Sequence, residues 1–337
     1  MRYGADVAPV GEKLIMKAGD VLFGKRRAYQ KKVAIAPFDG IFSAHGMVLR
    51  PRENVVDSNF FPLFIGSDYF LDAAISISVG SLSPTINWRD LRELEFDLPP
   101  LEEQRKLAKV LWAINDTIEA YKNLIAATDD LVKARFVEMF GSVKIREELS
   151  SLCVNGPQNG FYRKDDLHEF NMPIVKMKEL FANECIANAT SFDMVNMTPE
   201  EQKRFMLTPD DLLFGRRSLV IEGAGKCKRV GDIAYPLAFE SSVLRITLDT
   251  KKVLPRFVQE WFDADEGQRS IKAIRATTTI SGIKGSDLKK ILIPVPDIEA
   301  QKVFLNFAIQ ADKSKSALQR AMTAAQATYK NIIAKNI

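Results

Sequence analysis

The feature that most constrains this chain is an internal repeat that ends, in both copies, at the entrance to a long helix. The stretch "INWRDLRELEFDLPPLEEQ" (86–104) aligns with "IKGSDLKKILIPVPDIEAQ" (283–301) at an offset of 197 residues. Upstream, "GDVLFGKRR" (19–27) matches "DDLLFGRRS" (210–218) at an offset of 191, and "MVLRP" (47–51) matches "SVLRI" (242–246) at 195. Ordered matches whose offset grows slowly are typical of a duplication with short loop insertions. The sequence therefore predicts two related halves.

The repeat also predicts that the two halves differ in extent. Met1 corresponds to about Phe192, so the first copy has no counterpart of roughly residues 142–191. We therefore expect the first globular domain to be incomplete at its N-terminus, and the sequence does not establish whether it folds completely.

Each half ends in a long segment with helical periodicity. Residues from Leu101 to about Phe140 include neither proline nor glycine, and Gly141 follows as a stop signal. Apolar residues recur at spacings of three and four from Leu107 to Met139, and a matching, alanine-rich stripe starts at Phe304. This pattern predicts two helices of about forty residues, or about 60 Å, that pack on one another as a coiled-coil-like stalk. The alternative is that each is an ordinary core helix of its own half.

Outside the long helices, strand-like runs alternate with short helical segments, which favours an α+β fold. The strand predictions include "KLIMKAGDVLF", "GIFSAHGMVLRP" and "SLVIEGAGKCKRVGDIA", and the short helices are predicted in "SNFFPLFIGSDYFLDAAIS" and "LPRFVQEWFDADEGQRSIKAI". The predicted order is a first globular domain (1–98), a long helix (99–141), a second globular domain (142–296) and a second long helix (297–337).

Composition excludes several classes of protein. The 337 residues suit two domains, and 47 Lys plus Arg against 43 Asp plus Glu permit a nucleic-acid partner without requiring one. Three widely spaced cysteines and two histidines give no metal-ligand spacing and no disulfide framework. No apolar run approaches the roughly 18 residues of a membrane span, and the N-terminus has no signal-peptide pattern. We therefore expect a cytoplasmic protein without a metal site.

Basic residues cluster at equivalent places in the two halves. "GKRRAYQKK" (24–32) contains no acid, and the matching region of the second half is again basic and includes the turn "EGAGK", whose Gly223 and Gly225 could bring backbone amides close to a phosphate. A further cluster leads into "TTTISGIKG". The alternative for each cluster is a solvated surface. The candidate DNA-contacting residues are Lys25, Arg26, Arg27, Lys31, Lys32, Arg216, Arg217, Lys226, Lys228, Arg229, Arg275 and Lys284.

No self-contained catalytic centre is apparent. "GAGKCK" lacks the P-loop spacing, and neither a dinucleotide fingerprint nor the DPPY-like tetrad of amino-methyltransferases occurs. The acid pairs at 129–130, 165–166 and 210–211 are expected at surface or turn positions. Phe161, Tyr162 and Trp88 are either core residues or base-stacking residues.

The repeated "PPLEEQ"-type entrance to a long helix, placed after a variable globular domain, resembles the specificity subunit of type I restriction-modification systems. The resemblance covers almost the whole chain, from the Leu-Phe-Gly of each half to both long helices. It implies two tandem target-recognition domains and two long helices packed as an antiparallel coiled coil.

The resemblance also implies a function. In that family each target-recognition domain reads one part of a split, asymmetric sequence in double-stranded DNA, and the subunit itself is not an enzyme. S-adenosylmethionine is expected on methyltransferase subunits, and ATP and magnesium on a restriction or motor subunit. The incomplete first domain departs from the family pattern.

Other readings stay open at the level of sequence. A structural coiled-coil adaptor that joins two protein-binding domains would have the same periodicity, and an enzyme acting alone would need activity from the isolated chain. Within the favoured reading, the chain could be a truncated, inactive or recombination-cassette form. Self-association through the helix seam is also expected. The sequence does not give the DNA target.

Overall fold

The computed structural model describes residues 11–162, 171–182, 185–189, 191–277 and 280–337. The chain forms two compact units, one from Met1–Ile125 with Ser316–Ile337 and the other from Ala126–Lys315. Both long helices contribute residues to both units.

The first unit combines small antiparallel sheets with short helices. Strand β2 lies between β3 and β5, and β1 pairs with β4. Between β1 and β2 the chain turns at Gly19, whose φ of 89° suits glycine. The elements are β1 (Lys13–Met16), β2 (Val21–Gly24), β3 (Val33–Ile35), β4 (Gly40–Ser43), β5 (Gly46–Leu49), α1 (Phe61–Ile65), α2 (Asp68–Ser76), α3 (Trp88–Leu91) and the start of α4 (Leu101–Phe140).

The second unit has the same central arrangement with further strands. Strand β10 lies between β12 and β14, and β14 also pairs with β7. The elements are β6 (Arg146–Glu148), β7 (Cys153–Asn159), β8 (Met172–Val175), α5 (Met177–Ala182), β9 (Asp193–Val195), α6 (Pro199–Phe205), β10 (Asp211–Gly215), β11 (Arg217–Ser218), β12 (Cys227–Arg229), β13 (Ala238–Phe239), β14 (Val243–Leu248), α7 (Pro255–Asp263), α8 (Asp265–Ile274), β15 (Ser281–Gly282), α9 (Gly285–Leu288), β16 (Leu292–Pro294) and α10 (Ile298–Asn336).

The two long helices pack antiparallel, as the sequence predicts. In the first unit, Ala108 and Leu111 of α4 belong to the same apolar cluster as Tyr329 and Ile332 of α10. In the second unit, the end of α4 meets the start of α10, and the ring of Phe136 lies 5.2 Å from that of Phe304. The start of each helix thus faces the end of the other. Phe136, which is 4% exposed, lies outside the stripe read from the sequence.

The repeated glutamine at each helix entrance explains why the motif occurs twice. Gln301 is fully buried, and its Oε1 accepts from the Leu254 N–H at 2.9 Å while its Nε2 donates to the carbonyls of Lys252 and Pro296 at 3.0 Å. Gln104 makes the equivalent three bonds, to the Asp57 N–H and to the carbonyls of Val55 and Pro99, at 2.8–3.2 Å. Each glutamine therefore ties a long helix to a loop of its unit, the loop before α1 in the first unit and the loop before α7 in the second.

The predicted short helices are confirmed, whereas one predicted strand was wrong in detail. Each of the two predicted short helical stretches forms two helices, α1 with α2 and α7 with α8. The run "SLVIEGAGKCKRVGDIA" is not one strand, because residues 219–226 belong to no strand and separate β11, which pairs with β15, from β12, which pairs with β10. The apolar Leu219, Val220 and Ile221 therefore do not enter the core.

Candidate nucleic-acid interface

The basic segment of the first unit forms a tight turn between β2 and β3. The Gly24 N–H donates to the Lys32 carbonyl at 2.9 Å, which closes the turn, and the Ile86 N–H donates to the Lys25 carbonyl at 2.9 Å. Arg27 adopts a left-handed backbone conformation, with φ of 53°. The side chains of Arg26, Arg27 and Lys32 are exposed. This turn presents positive charge to solvent from a fixed backbone.

Lys31 differs from its neighbours because its charge is paired. Its Nζ lies 2.6 Å from Asp68 Oδ1 and 2.7 Å from Asp72 Oδ1, both on α2. The hydrogen bond that Lys31 donates to Asp68 lowers the pKa of Asp68, and the hydrogen bonds that Lys31 donates to Asp68 and Asp72 raise the pKa of Lys31. Lys31 therefore fixes the turn to α2 in this structure.

In the second unit, Arg216 and Arg217 follow β10 at the position where Lys25 and Arg26 follow β2. The Arg216 N–H donates to the Ser242 carbonyl at 2.7 Å, and the Arg216 carbonyl accepts from the Ile283 N–H at 3.0 Å. The Arg216 Nη1 donates to the Ser241 carbonyl at 3.1 Å. Partial burial, with a smaller effect from the neighbouring charge of Arg217, lowers the pKa of Arg216. These hydrogen bonds fix the backbone at Arg216, next to Arg217.

These arginines line an open groove of about 1270 Å³. Arg275 lies at the end of α8 and Lys284 just before α9, and both line the same groove. The cationic side chains that line it are Arg146, Arg216, Arg217, Arg275, Lys284 and Lys290, and the acidic ones are Glu266 and Asp287. Since Arg146 Nη1 lies 2.7 Å from Glu266 Oε1, one of the two acids is neutralised within the groove. The surface has a clear excess of positive charge.

Sequence reasoning missed Arg146 and Lys290 as members of this groove. Arg146 begins β6, far from the basic clusters in sequence, and pairing of β6 with β16 brings it near residues 292–294. Lys290 lies inside the repeated segment that precedes the second long helix. The "DLKK" run was the available signal, because it adds two cations directly before β16.

The remaining predicted cations of the second unit face a different cavity. Lys226, Lys228 and Arg229 line a cavity of about 480 Å³ together with Glu260 and Asp263. Burial raises the pKa of both carboxyl groups. Arg275 lines both the groove and this cavity. The structure therefore divides the predicted cluster, placing Arg216, Arg217, Arg275 and Lys284 on the cationic groove and the other three beside acids.

The expectation that the "EGAGK" turn offers its amides to a phosphate was wrong. The Gly223 N–H donates to the Val220 carbonyl at 3.1 Å, and the Gly225 N–H donates to the Gly215 carbonyl at 2.7 Å. Both glycines are buried. A Cβ on Gly223 would lie 2.2 Å from Ser218 Oγ, so close packing requires glycine there. Both amide N–H groups therefore donate to carbonyl groups of the protein, which leaves them unavailable to a phosphate.

The acid pairs and aromatic residues take different positions. Asp129 is on the surface of α4, where its Oδ1 lies 2.8 Å from Lys315 Nζ, whereas Asp211 is fully buried in β10, contrary to the prediction. Thr247 Oγ1 and the Thr208 N–H donate to the Asp211 carboxyl group at 2.5 and 2.8 Å, which satisfies its oxygens. Asp165–Asp166 lie outside the described residues. Phe161 is a core residue, while Tyr162 and Trp88 are 74% and 57% exposed.

The described part of the chain offers little to catalysis. Among those residues no group of three or more His, Cys, Asp or Glu side chains is placed to hold a metal ion. Burial raises the pKa of the Cys153 thiol to about 11 and that of Cys227 well above its ordinary value, which disfavours the reactive thiolates. Across the same residues, every helix is too short or too polar to cross a membrane.

The known sequences to which this chain is similar are specificity subunits of type I restriction enzymes. Residues 7–127 match the family model described as "Type I restriction modification DNA specificity domain". The EcoKI specificity subunit, of a type I restriction enzyme of Escherichia coli K12, is 24% identical over 98% of this chain and 74% of its own length. The corresponding StySPI subunit of Salmonella potsdam is 22% identical over the same shares of the two chains, 98% and 74%. The EcoDI subunit of Escherichia coli is 32% identical over 36% of this chain and 28% of its own length.

Solved structures share the fold. A chain from the work described as "Structural basis underlying complex assembly and conformational transition of the type I R-M system" superposes with a TM-score of 0.61, at 18% identity, over 98% of this chain and 84% of that one. The type I restriction-modification S subunit of M. genitalium gives a TM-score of 0.52 at 14% identity, over 96% and 83%. At these identities the likeness concerns the fold.

Proposed function

The chain belongs to the family of type I restriction-modification specificity subunits, and on that basis we propose that it is the DNA-reading subunit of such a complex. It directs the complex to a split, asymmetric sequence in double-stranded DNA, with one globular unit for each part of the sequence. The observation that carries this proposal is the cationic groove around Arg216 and Arg217. Their counterparts Lys25 and Arg26 lie on the equivalent turn of the first unit.

The charges of the groove fit the phosphate backbone of a duplex. Arginine and lysine neutralise phosphates and release condensed counterions, so this part of the affinity falls steeply with salt. Phosphate contacts fix orientation and do not select bases. Exposed side chains next to the groove therefore supply the sequence choice.

The chemistry belongs to other subunits in this proposal. Methyltransferase subunits hold S-adenosylmethionine, and a restriction or motor subunit uses ATP and magnesium, while this chain is non-catalytic and acts in the cytoplasm. Apolar side chains on the long helices support docking of protein partners. In the first unit Val110 and Leu124 are 48% and 51% exposed, and in the second Leu131 and Val137 are 56% and 58% exposed. Partner subunits or a second copy of the chain would cover them.

The test removes charge from the groove and, in a matched variant, from elsewhere in the same unit. Arg216→Ala/Arg217→Ala is compared with Lys251→Ala/Lys313→Ala, whose lysines are exposed and do not line the groove. Fluorescence anisotropy measures binding of random-sequence duplex DNA to complexes assembled with the methyltransferase subunit. If both arginines contact phosphates, the slope of log K against log salt becomes shallower by about 1.8, whereas the lysine variant leaves it unchanged. If the slope of log K against log salt were the same for both variants, the groove would not be part of the DNA interface.

A further inference from the structure

An apolar loop beside the cationic groove has no role in the core. Leu219, Val220 and Ile221 follow β11 directly, and their exposed fractions are 86%, 52% and 43%. Ile280 precedes β15, the strand that pairs with β11, and is 49% exposed. A single exposed leucine needs no explanation, but consecutive exposed apolar residues mark a surface that binds something.

The loop is held rigidly. The Val220 N–H donates to Ser218 Oγ at 3.2 Å, and the Val220 carbonyl accepts from the Gly223 N–H at 3.1 Å. On the other side, Arg275 Nε donates to the Ala224 carbonyl at 3.0 Å. A rigid loop presents its side chains without the entropy cost of ordering a flexible one on binding.

The charged residues next to the loop indicate which class of partner it binds. Arg216 and Arg217 precede it in the chain and Arg275 is bonded to its C-terminal end, so the loop is bracketed by cations that line the groove. A protein partner with an apolar patch would have to bury or pair these guanidinium groups. Duplex DNA meets both demands, because phosphates flank grooves in which thymine presents its 5-methyl group.

We propose that Leu219, Val220 and Ile221 form a base-contact element that enters the DNA groove and packs against thymine methyl groups, while the surrounding arginines hold the phosphates. This inference rests on the proposed function and deepens it by assigning sequence choice to a named segment. Ile280 supports the element from β15 and widens its apolar surface.

The test combines a protein substitution with removal of one methyl group from DNA. Complexes with wild type, Leu219→Ser or the control Leu82→Ser first select their preferred sequence from a random duplex pool. Leu82 is 94% exposed and lies in the first unit. Each thymine of the selected site is then replaced by uracil, and affinities are compared. Loss of one buried methyl group is expected to weaken wild-type and Leu82→Ser binding about fourfold at one or more positions.

Leu219→Ser is expected to lose this discrimination. Its preference for the selected site over random DNA falls about tenfold, while its affinity for random DNA and its salt slope stay as in wild type. Ile280→Ser shows a weaker form of the same loss. Because Leu219 is 86% exposed, its substitution is expected to leave the fold intact, and an unchanged affinity for random DNA with an unchanged salt slope checks that the phosphate-binding surface is retained.

Two outcomes would overturn the inference. Equal responses of wild type and Leu219→Ser to uracil would show that the loop does not read thymine. Loss of methyltransferase-subunit binding by Leu219→Ser, with base preference unchanged, would make the loop a protein-docking element. Neither outcome contradicts the proposed function, which fails only if the wild-type complex selects no DNA sequence.

Discussion

Replacing the buried glutamine at a helix entrance is expected to destabilise one unit strongly. Gln301→Leu keeps roughly the same volume but leaves the Leu254 N–H and the carbonyls of Lys252 and Pro296 without their side-chain partner. Each buried polar group that loses its partner costs about 1–3 kcal/mol, and the carbonyls recover part of this by relaxing toward water. We expect the free energy of unfolding of the second unit to fall by about 2–5 kcal/mol. That is a large part of the roughly 5–15 kcal/mol of a typical domain.

The assay follows urea denaturation by the fluorescence of Trp261, the one tryptophan in residues 126–315, in a Trp88→Phe/Trp112→Phe background that removes the emission of the first unit. Its side chain is 1% exposed in the core of the second unit, so its emission reports loss of that core. Gln310→Leu is the matched control, because it makes the same change at an exposed position of the same helix and should shift stability by about 0.5 kcal/mol or less. If Gln301→Leu unfolded at the same urea concentration as Gln310→Leu, the reasoning about the repeated entrance would be refuted.

Two further predictions concern other positions of the repeat. Asp20 accepts from Arg50 Nε and Nη2 at 2.7 and 2.5 Å, and these bonds hold the pKa of its carboxyl group below its ordinary value. Its contribution is therefore present above about pH 4 and is lost as pH falls through the lowered folded-state pKa. Asp20→Asn should lose about 1.5–3 kcal/mol at pH 7 and show a smaller loss in acid than wild type, measured by urea denaturation at several pH values; an identical acid profile would contradict the assignment. At Gly215 a Cβ would lie 2.0 Å from the Gly223 carbonyl oxygen, whereas at Gly24 it would lie 3.0 Å from the Lys32 Cβ. Gly215→Ala should therefore lower the free energy of unfolding of the second unit by about 1–3 kcal/mol, and Gly24→Ala should lower that of the first unit by less, each measured by urea denaturation of the unit concerned; the reverse order would be inconsistent with the packing.

The scaffold was predictable because its signals are periodic or repeated. A segment without proline or glycine, with an apolar residue every three or four positions, has few folds open to it, and the helix expected from Leu101 to about Phe140 spans Leu101–Phe140. Pairing of the two helices followed from their matching stripes. Phe136 and Phe140 could not be assigned from the stripe, because they are buried by tertiary contacts with Phe257 and Phe304.

The candidate site was less predictable, because neighbours in sequence need not face the same surface. Arg216 and Lys226 belong to one basic stretch, yet Arg216 lines the groove and Lys226 lines the cavity that holds Glu260. Arg146 reaches the groove only because β6 pairs with β16. The apolar run at Leu219 was predicted as part of a strand, whereas the structure places it in a hydrogen-bonded loop with Leu219, Val220 and Ile221 exposed.

Comparison of the two halves within the chain separates scaffold from reading surface. The glutamine at the helix entrance, the aspartate at the start of the central strand (Asp20 just before β2, Asp211 as the first residue of β10) and the Leu-Phe-Gly of that strand occur in both halves, and they are buried or serve packing. The position of Leu219–Ile221 corresponds instead to Ala28–Gln30, where the first unit has a buried alanine and an exposed tyrosine. Under the proposed function, two units that read different parts of a split sequence need the same scaffold and different contact residues. The pattern of agreement and divergence along the repeat is the one that this division of labour requires.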